Sequence, residues 1–148
     1  MTSPFLFFVK GELLVAETFV KGKVIIAIDF DGTITTEPDM DPYRDLELRE
    51  GCREALEYLH DIGCELILWT CRTGEALSEA LSFLHIHEMG YLFKAVNNHH
   101  PEVLGRYPEI ARKIAADFYV DDKAVMGEVD WGKVCSFIKQ KYGSDLFV

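Results

Sequence analysis

Two carboxylates separated by one residue, Asp29 and Asp31, follow directly on the apolar run 24–28. Residues i and i+2 of a strand point to the same side, so these two acids are close enough to repel each other. Such a pair needs a bound proton, a cation or a substrate group between its members. Gly32 and Thr33 come next, and the whole string is more specific than ordinary turn composition. We therefore interpret it as part of a reactive site and not as a solvated acidic turn.

Polar residues also end two other predicted strands. Thr70 closes one of them, with Arg72 just beyond, and Asp121 and Asp122 close another. Because ligands bind at the carboxyl ends of strands in open α/β sheets, we expect these groups to meet Asp29 at one rim. Oxygen ligands without His or Cys suit Mg²⁺, which is commonly held by carboxylates together with substrate phosphate. The pattern therefore predicts a magnesium site for phosphoryl transfer.

The elements that must position these groups follow from the periodicity of apolar residues. Short apolar runs predict strands, and apolar residues at helical spacing predict the helices between them. The predicted strands are 24–28, 65–70, 92–96 and 117–120, and the predicted helices begin near 46, 75 and 131, with a short helical piece at 109–115. This alternation predicts an α/β fold with a doubly wound parallel sheet in three α/β/α layers.

The 148 residues fit a single domain covering 1–148, with 1–22 as an N-terminal β extension. Two β-rich runs, 5–9 and 13–20, give this extension a hairpin-like pattern. No apolar stretch is long enough to predict a membrane span, and we identify no signal peptide. Four cysteines without metal-type spacing predict reduced thiols in a cytoplasmic protein.

The chain is acidic, with 25 Asp and Glu against 15 Lys and Arg and a net charge of -10. A long nucleic-acid track needs clustered basic residues, so a polynucleotide partner is disfavoured without being excluded. A small phosphorylated ligand needs only one or two positive groups and stays compatible with this charge.

In these features the sequence resembles the haloacid dehalogenase (HAD) superfamily. The first motif of that superfamily, Asp-x-Asp-x-Thr after an apolar strand, is matched by 29–33. The second, a Thr or Ser ending the next strand, is matched by Thr70. The fourth, an acidic pair ending a later strand, is matched by Asp121 and Asp122. The matches occur in the family order and span residues 24–122.

The third motif is a lysine upstream of the fourth strand. Lys113 fits this position best, and Lys123 and Lys94 are the alternatives. His99 and His100 are interpreted as residues of the loop 97–108, with a site role as the alternative. Cys71 lies beside Thr70, and no basic residue is placed to activate it as a nucleophile.

The resemblance implies a role for each matched residue. Asp29 would attack phosphorus and carry an aspartyl-phosphate, while Asp31 would act first as general acid and then as general base. The set expected to contact substrate is Thr33, Thr70, Arg72 and Lys113. Arg72 is included because its fork suits phosphate or carboxylate groups, and a surface ion pair is the alternative role for it. The set expected to hold Mg²⁺ is Asp29, the main-chain carbonyl of Asp31, Asp121 and Asp122. An acid at position 31 favours phosphatase or phosphotransferase chemistry, because a halide leaving group needs no proton.

Members of the superfamily usually carry a cap domain, and neither interval that could hold one is long enough here. The chain therefore resembles a capless member, with an open site and loops 37–45 and 97–107 as expected substrate contacts. A neighbouring subunit of a homo-oligomer is one candidate lid. The predicted function is magnesium-dependent hydrolysis of a phosphomonoester, on a small molecule or a phosphoprotein. The alternatives are a nucleotide or polynucleotide end-phosphatase and a non-catalytic binding module that retains the fold.

Overall fold

The computed structural model describes residues 3–9, 12–38 and 45–142. It contains six strands and four α-helices in these parts of the chain. The strands are β1 (Ser3–Val9), β2 (Glu12–Thr18), β3 (Ile25–Ile28), β4 (Glu65–Leu68), β5 (Phe93–Val96) and β6 (Phe118–Val120). The helices are α1 (Cys52–Asp61), α2 (Gly74–Ile86), α3 (Pro101–Arg106) and α4 (Trp131–Tyr142), and a single 3₁₀ turn covers Gly90–Leu92.

Strands β3 to β6 form one sheet in the order β5-β4-β3-β6, and every pair in it is parallel. The prediction of an α/β fold with a parallel sheet is therefore confirmed. Strand β3 is central and buried along its whole length, which explains why 25–28 is apolar without alternation. Strands β1 and β2 pair antiparallel as a separate hairpin, at the place where the sequence predicts a β extension.

Alternating residues of β3 contribute to two different apolar clusters. Ile26 and Ile28 pack with the buried residues of α1, α2 and α4. Ile25 and Ala27 pack instead with a second cluster that includes Val103 of α3 and Ile114. Because neighbouring strand residues face opposite sides, the two clusters lie on opposite faces of the sheet. The strand that carries Asp29 is thus anchored from both sides.

The helix predicted to begin near 46 begins instead at Cys52. Residues 47–49 are extended and pair with 34–36, through an antiparallel bridge between Thr35 and Leu48 and a bond from the Arg49 N–H to the Ile34 carbonyl at 2.8 Å. The apolar spacing of this segment suits a helix, but its backbone groups form hydrogen bonds with the loop that follows β3. It therefore holds that loop against the sheet.

The short helix predicted at 109–115 is wrong, because this segment is irregular. In an α-helix the Ala115 N–H would donate to the Ala111 carbonyl. Here the buried His99 ring lies between these two groups: its Nδ1 accepts from Ala115 at 3.1 Å, and its Nε2 donates to Ala111 at 2.7 Å. The imidazole thus replaces the helical hydrogen bond, and one neutral tautomer satisfies both contacts.

Candidate active site

The carboxyl ends of the four parallel strands lie level with one another. The Asp29 N–H donates to the Val120 carbonyl at 3.0 Å, and the Trp69 N–H donates to the Ile28 carbonyl at 2.8 Å. The Asn97 N–H donates to the carbonyl of Leu68, the last residue of β4, at 2.8 Å. The first residues beyond the strands therefore form a continuous rim. Asp29, Thr70 and Asp121 lie along it because the register of the sheet is unbroken at this end.

Three carboxylates of this rim form one cluster. One oxygen from each of Asp29, Asp121 and Asp122 lies within 4.8 Å of the others. Burial raises the pKa of Asp29 to about 7, and the neighbouring carboxyls of Asp122 and then Asp121 add to the rise. Carboxylates this close repel one another unless a proton or a cation is shared between them. The cluster is thus suited to holding a positive ion.

Thr33 ties two of these acids together. Its hydroxyl donates to Asp29 Oδ2 at 3.1 Å and accepts the Asp122 N–H at 3.0 Å. Its own carbonyl accepts from the indole Nε1–H of Trp131, the first residue of α4, at 3.0 Å. Thr33 is fully buried, so its part in the site is to fix the acids. Its predicted contact with substrate stays a prediction.

The Asp122 carboxylate has a buried oxygen, Oδ1, without a hydrogen-bond partner among the described residues. A buried carboxylate oxygen left unpaired is costly, so this atom points to a ligand such as a metal ion. The donor set of carboxylate oxygens matches Mg²⁺, and the residues present therefore fit this cation. Asp29, Asp121 and Asp122 are the side chains that would hold it, whereas the predicted role of the Asp31 carbonyl stays a prediction.

Gly32 makes room for this arrangement. Its backbone has φ +76°, and a Cβ at this position would lie 2.4 Å from Asp122 Oδ2 and 3.0 Å from the Cα of Pro38. Both the left-handed backbone and the close approach of the carboxylate therefore require glycine.

The Asp31 carboxylate is engaged elsewhere, in a buried ion pair with Arg72. Nη2 of Arg72 donates to Asp31 Oδ1 at 2.8 Å, and Nε donates to Oδ2 at 2.9 Å. The Arg72 side chain is 1% exposed. The predicted contact between Arg72 and substrate would thus require this pair to separate first.

Thr70 lies beside the same pair. Its hydroxyl accepts the Arg72 N–H at 3.2 Å, and its own N–H donates to Asn97 Oδ1 at 2.8 Å. Asn97 also donates from Nδ2 to the Arg72 carbonyl at 3.4 Å, and it has a positive φ of 51°. The sequence placed Asn97 at the start of the loop 97–107 that is expected to contact substrate, but its bonds to Thr70 and Arg72 were not predicted. The available signal was an asparagine directly after a strand, where it tolerates the left-handed backbone that few other residues adopt.

The three candidate lysines occupy different places. Lys113 has its Nζ 5.2 Å from the ring centroid of Tyr119 and lines an apolar cavity of about 430 Å³ with residues such as Phe19 and Ile110. In the described parts of the chain it makes no ion pair with Asp31 or with the cluster of Asp29, Asp121 and Asp122. Lys94 is 4.0 Å from Glu65, at the opposite end of the sheet from the rim, so it is not placed to bind a phosphate there.

Lys123 is exposed on the loop next to the acidic pair, and its backbone N–H donates to Asp121 Oδ1 at 2.8 Å. Lys123 is therefore the candidate nearest to the carboxylates along the chain. The structure does not bring Lys113 to them, and its role as the phosphate-binding lysine stays a prediction.

The remaining sequence-predicted positions have structural partners or lie partly outside the described residues. His100 caps α3, because its Nδ1 accepts the Glu102 N–H at 3.1 Å, and burial lowers the pKa of its ring. Both nitrogens of His99 bind backbone groups, which leaves neither free for a metal. Cys71 is exposed. In the predicted substrate loop 37–45, residues 39–44 lie outside the described residues.

No family model and no curated protein matches the chain. Among solved structures, the chain is similar to a conserved protein coded by a locus of Bacteroides thetaiotaomicron. The two sequences are 34% identical over 85% of this chain and 98% of the other, with a TM-score of 0.67. Identity at this level over nearly the whole of that protein exceeds what a shared fold alone requires. The chain therefore belongs to the same family as this conserved Bacteroides thetaiotaomicron protein.

Proposed function

We propose that the protein is a magnesium-dependent phosphomonoester hydrolase of the HAD type that acts through an aspartyl-phosphate. The observation that carries this proposal is the cluster of Asp29, Asp121 and Asp122, whose carboxylate oxygens lie within 4.8 Å of one another. The nucleophile expected from the sequence is a member of that cluster. We assign the fold to the doubly wound, three-layered HAD class, because the first, second and fourth motif positions follow strands of one parallel sheet.

Asp29 is the nucleophile in this proposal. Its carboxylate attacks the phosphorus of the ester, the bond to the leaving oxygen breaks, and a phosphoryl group remains on Asp29. Thr33 orients the Asp29 carboxylate through the hydroxyl contact at 3.1 Å. A carboxylate is a weak nucleophile, so this orientation supplies much of the rate.

Asp31 handles the protons in both steps. As an acid it protonates the leaving oxygen, and as a base it takes a proton from the water that attacks the phosphoryl group. This water then releases inorganic phosphate and restores the Asp29 carboxylate. The buried pair with Arg72 holds the Asp31 carboxylate in place for the second step.

A bound Mg²⁺ supplies electrostatic stabilisation of the charge that develops on the phosphoryl oxygens. Asp29, Asp121 and Asp122 would hold the ion, and the unpartnered Asp122 Oδ1 supports this assignment. Thr70 and one lysine are the proposed contacts of the phosphoryl oxygens. Lys113 is the motif candidate, and Lys123 is the alternative favoured by its position beside Asp121.

We further propose a cytoplasmic location, since all four cysteines are free and burial raises the pKa of both Cys52 and Cys64 to about 12. No helix in the described parts of the chain has the length and apolar character to cross a membrane. The proposed substrate is a phosphorylated small molecule or a phosphoprotein.

The proposal is tested by measuring phosphate release from an aryl phosphate and from a panel of metabolite phosphates, with Mg²⁺ and with EDTA. We expect turnover that requires Mg²⁺ and is abolished by Asp29→Asn. Asp61→Asn makes the same chemical change at an exposed carboxyl at the end of α1, and this control should keep the wild-type rate. Absence of turnover across the panel, or full activity of Asp29→Asn, would contradict the proposal. Magnesium binding without turnover would favour the non-catalytic alternative.

A further inference from the structure

Arg72 is a buried cation beside the proposed reaction centre, and the proposed chemistry assigns it no direct part. Its side chain is 1% exposed, and that of Asp31 is 11% exposed. Nη2 and Nε of Arg72 donate to the two Asp31 oxygens at 2.8 and 2.9 Å, and Nε also lies 3.2 Å from Oδ1. A two-point contact of this kind fixes the plane of the carboxylate as well as its position.

The guanidinium is itself held from several directions. Its Nη1 donates to the Ala76 carbonyl in the first turn of α2 at 2.9 Å and lies 3.4 Å from Glu79. Its Cζ lies 5.1 Å from the ring centroid of Phe30, the residue between the two motif acids. The backbone of Arg72 is tied to Thr70. The fork that faces Asp31 is therefore preorganised by α2 and by the strand ends.

This arrangement separates the two motif acids by their partners. The Asp29 carboxylate is bound by Thr33 within the acidic cluster, whereas the Asp31 carboxylate is bound by a cation. Without the fork, the like charges of the cluster would drive Asp31 away, and its rotamer would no longer be fixed. A general acid–base group must lie within hydrogen-bond reach of the proton that it transfers, so this orientation bears on the rate.

We propose that Arg72 is the positioning residue of the proposed reaction, because its guanidinium fork fixes the Asp31 carboxylate in the orientation needed for proton transfer. This inference rests on the proposed function. It replaces a direct contact between Arg72 and substrate with an effect that reaches the reaction only through Asp31.

The test uses steady-state hydrolysis of an aryl phosphate with Mg²⁺. Arg72→Lys keeps the positive charge but loses the planar fork. We expect kcat to fall about a hundredfold, as for a lost acid–base function, while KM changes by less than about threefold. Arg53→Lys is the matched control, since Arg53 lies on α1 and contacts the His87 carbonyl, and it should keep the wild-type kcat.

A double variant separates positioning from other roles and removes both buried charges, which protects the fold. If Arg72 acts through Asp31, then Arg72→Gln/Asp31→Asn has the same kcat as Asp31→Asn alone. A kcat of the double variant far below that of Asp31→Asn would overturn the inference. So would a large rise in KM of Arg72→Lys at unchanged kcat, since that indicates a direct substrate contact.

The outcome for Asp29 distinguishes the two levels of the proposal. An active Asp29→Asn variant would refute the proposed function itself. An inactive Asp29→Asn variant together with wild-type kinetics for Arg72→Lys would refute the positioning role alone.

Discussion

Replacing the proposed nucleophile should stabilise the metal-free protein. The pKa of Asp29 rises from 3.8 to about 7, chiefly because the carboxyl is buried. At about 1.4 kcal/mol per pH unit, this gap corresponds to about 4 kcal/mol of unfavourable free energy for the ionised form. Solvent reaches part of the group, so we reduce the figure to roughly 2 kcal/mol. Asp29→Asn removes this cost, and its free energy of unfolding in EDTA at pH 8 should exceed that of the wild type by that amount.

The pH dependence of the difference gives the sharper test. Below about pH 4 the Asp29 carboxyl is protonated in both the folded and the unfolded state, so the variant has no advantage. Between pH 4 and 7 the folded state holds the proton that the unfolded state has lost, so the wild type loses stability as the pH rises. The advantage of Asp29→Asn should therefore grow through this window and level off above pH 7.

Urea denaturation in EDTA at pH 5, 6, 7 and 8 measures this difference, with Asp61→Asn as the control for loss of one exposed charge. Excess Mg²⁺ should reverse the order at pH 8, because a ligand that binds the folded state stabilises it and the variant has lost a ligand. If the advantage of Asp29→Asn in EDTA is absent or falls with rising pH, then burial and the neighbouring carboxyls do not raise the pKa of Asp29 as inferred.

Three further substitutions test the surroundings of the cluster. Gly32→Ala should cost more than about 2 kcal/mol and abolish stabilisation by Mg²⁺ in thermal denaturation, because the new Cβ displaces Asp122. Gly51 has a similar φ of +77° but open space around it, so Gly51→Ala should cost about 1 kcal/mol and leave the response to Mg²⁺ intact. Thr33→Val removes two hydrogen bonds and should lower the free energy of unfolding in urea by about 1–3 kcal/mol. It should also weaken Mg²⁺ binding, as measured by calorimetry. His99→Phe leaves two backbone groups unpaired, at roughly 1–3 kcal/mol each, and an unchanged Mg²⁺ affinity would establish that its role is structural.

The rim could be predicted from the sequence because each strand and the polar residues that follow it form a short, local pattern. A buried strand such as β3 is recognisable from uninterrupted apolar residues, and parallel strands bring their carboxyl ends together without further information. That is sufficient to place Asp29 near Asp121 and Asp122, although Asp29 and Asp121 are 92 positions apart in the sequence. The hydrogen-bond register of the sheet then sets the relative heights of the strand ends and so forms the rim.

The partners of the side chains could not be predicted, because they depend on long-range contacts. Arg72 has the sequence context of a substrate-binding residue, and only the approach of α2 to the rim turns its fork towards Asp31. The segment 109–115 has local helical character, and a ring from His99 takes up the bond that would close the helix. In both cases a side chain from another element forms hydrogen bonds that periodicity in the sequence cannot reveal.

The division of charge at the rim favours a divalent cation over a further lysine as the counterion of the cluster. Arg72 neutralises Asp31, which leaves Asp29, Asp121 and Asp122 with no ion pair to a basic side chain in the described parts of the chain. A lysine would offer a single charge and N–H donors. The cluster instead presents three carboxylate oxygens within 4.8 Å of one another, and Asp122 also has a buried oxygen without a hydrogen-bond partner among the described residues. Such a set of oxygens matches the ligands of a small divalent cation. Arg72 therefore fixes one acid, Asp31, which is the residue proposed for proton transfer. The other three carboxylates stay under mutual repulsion, which a bound cation would relieve.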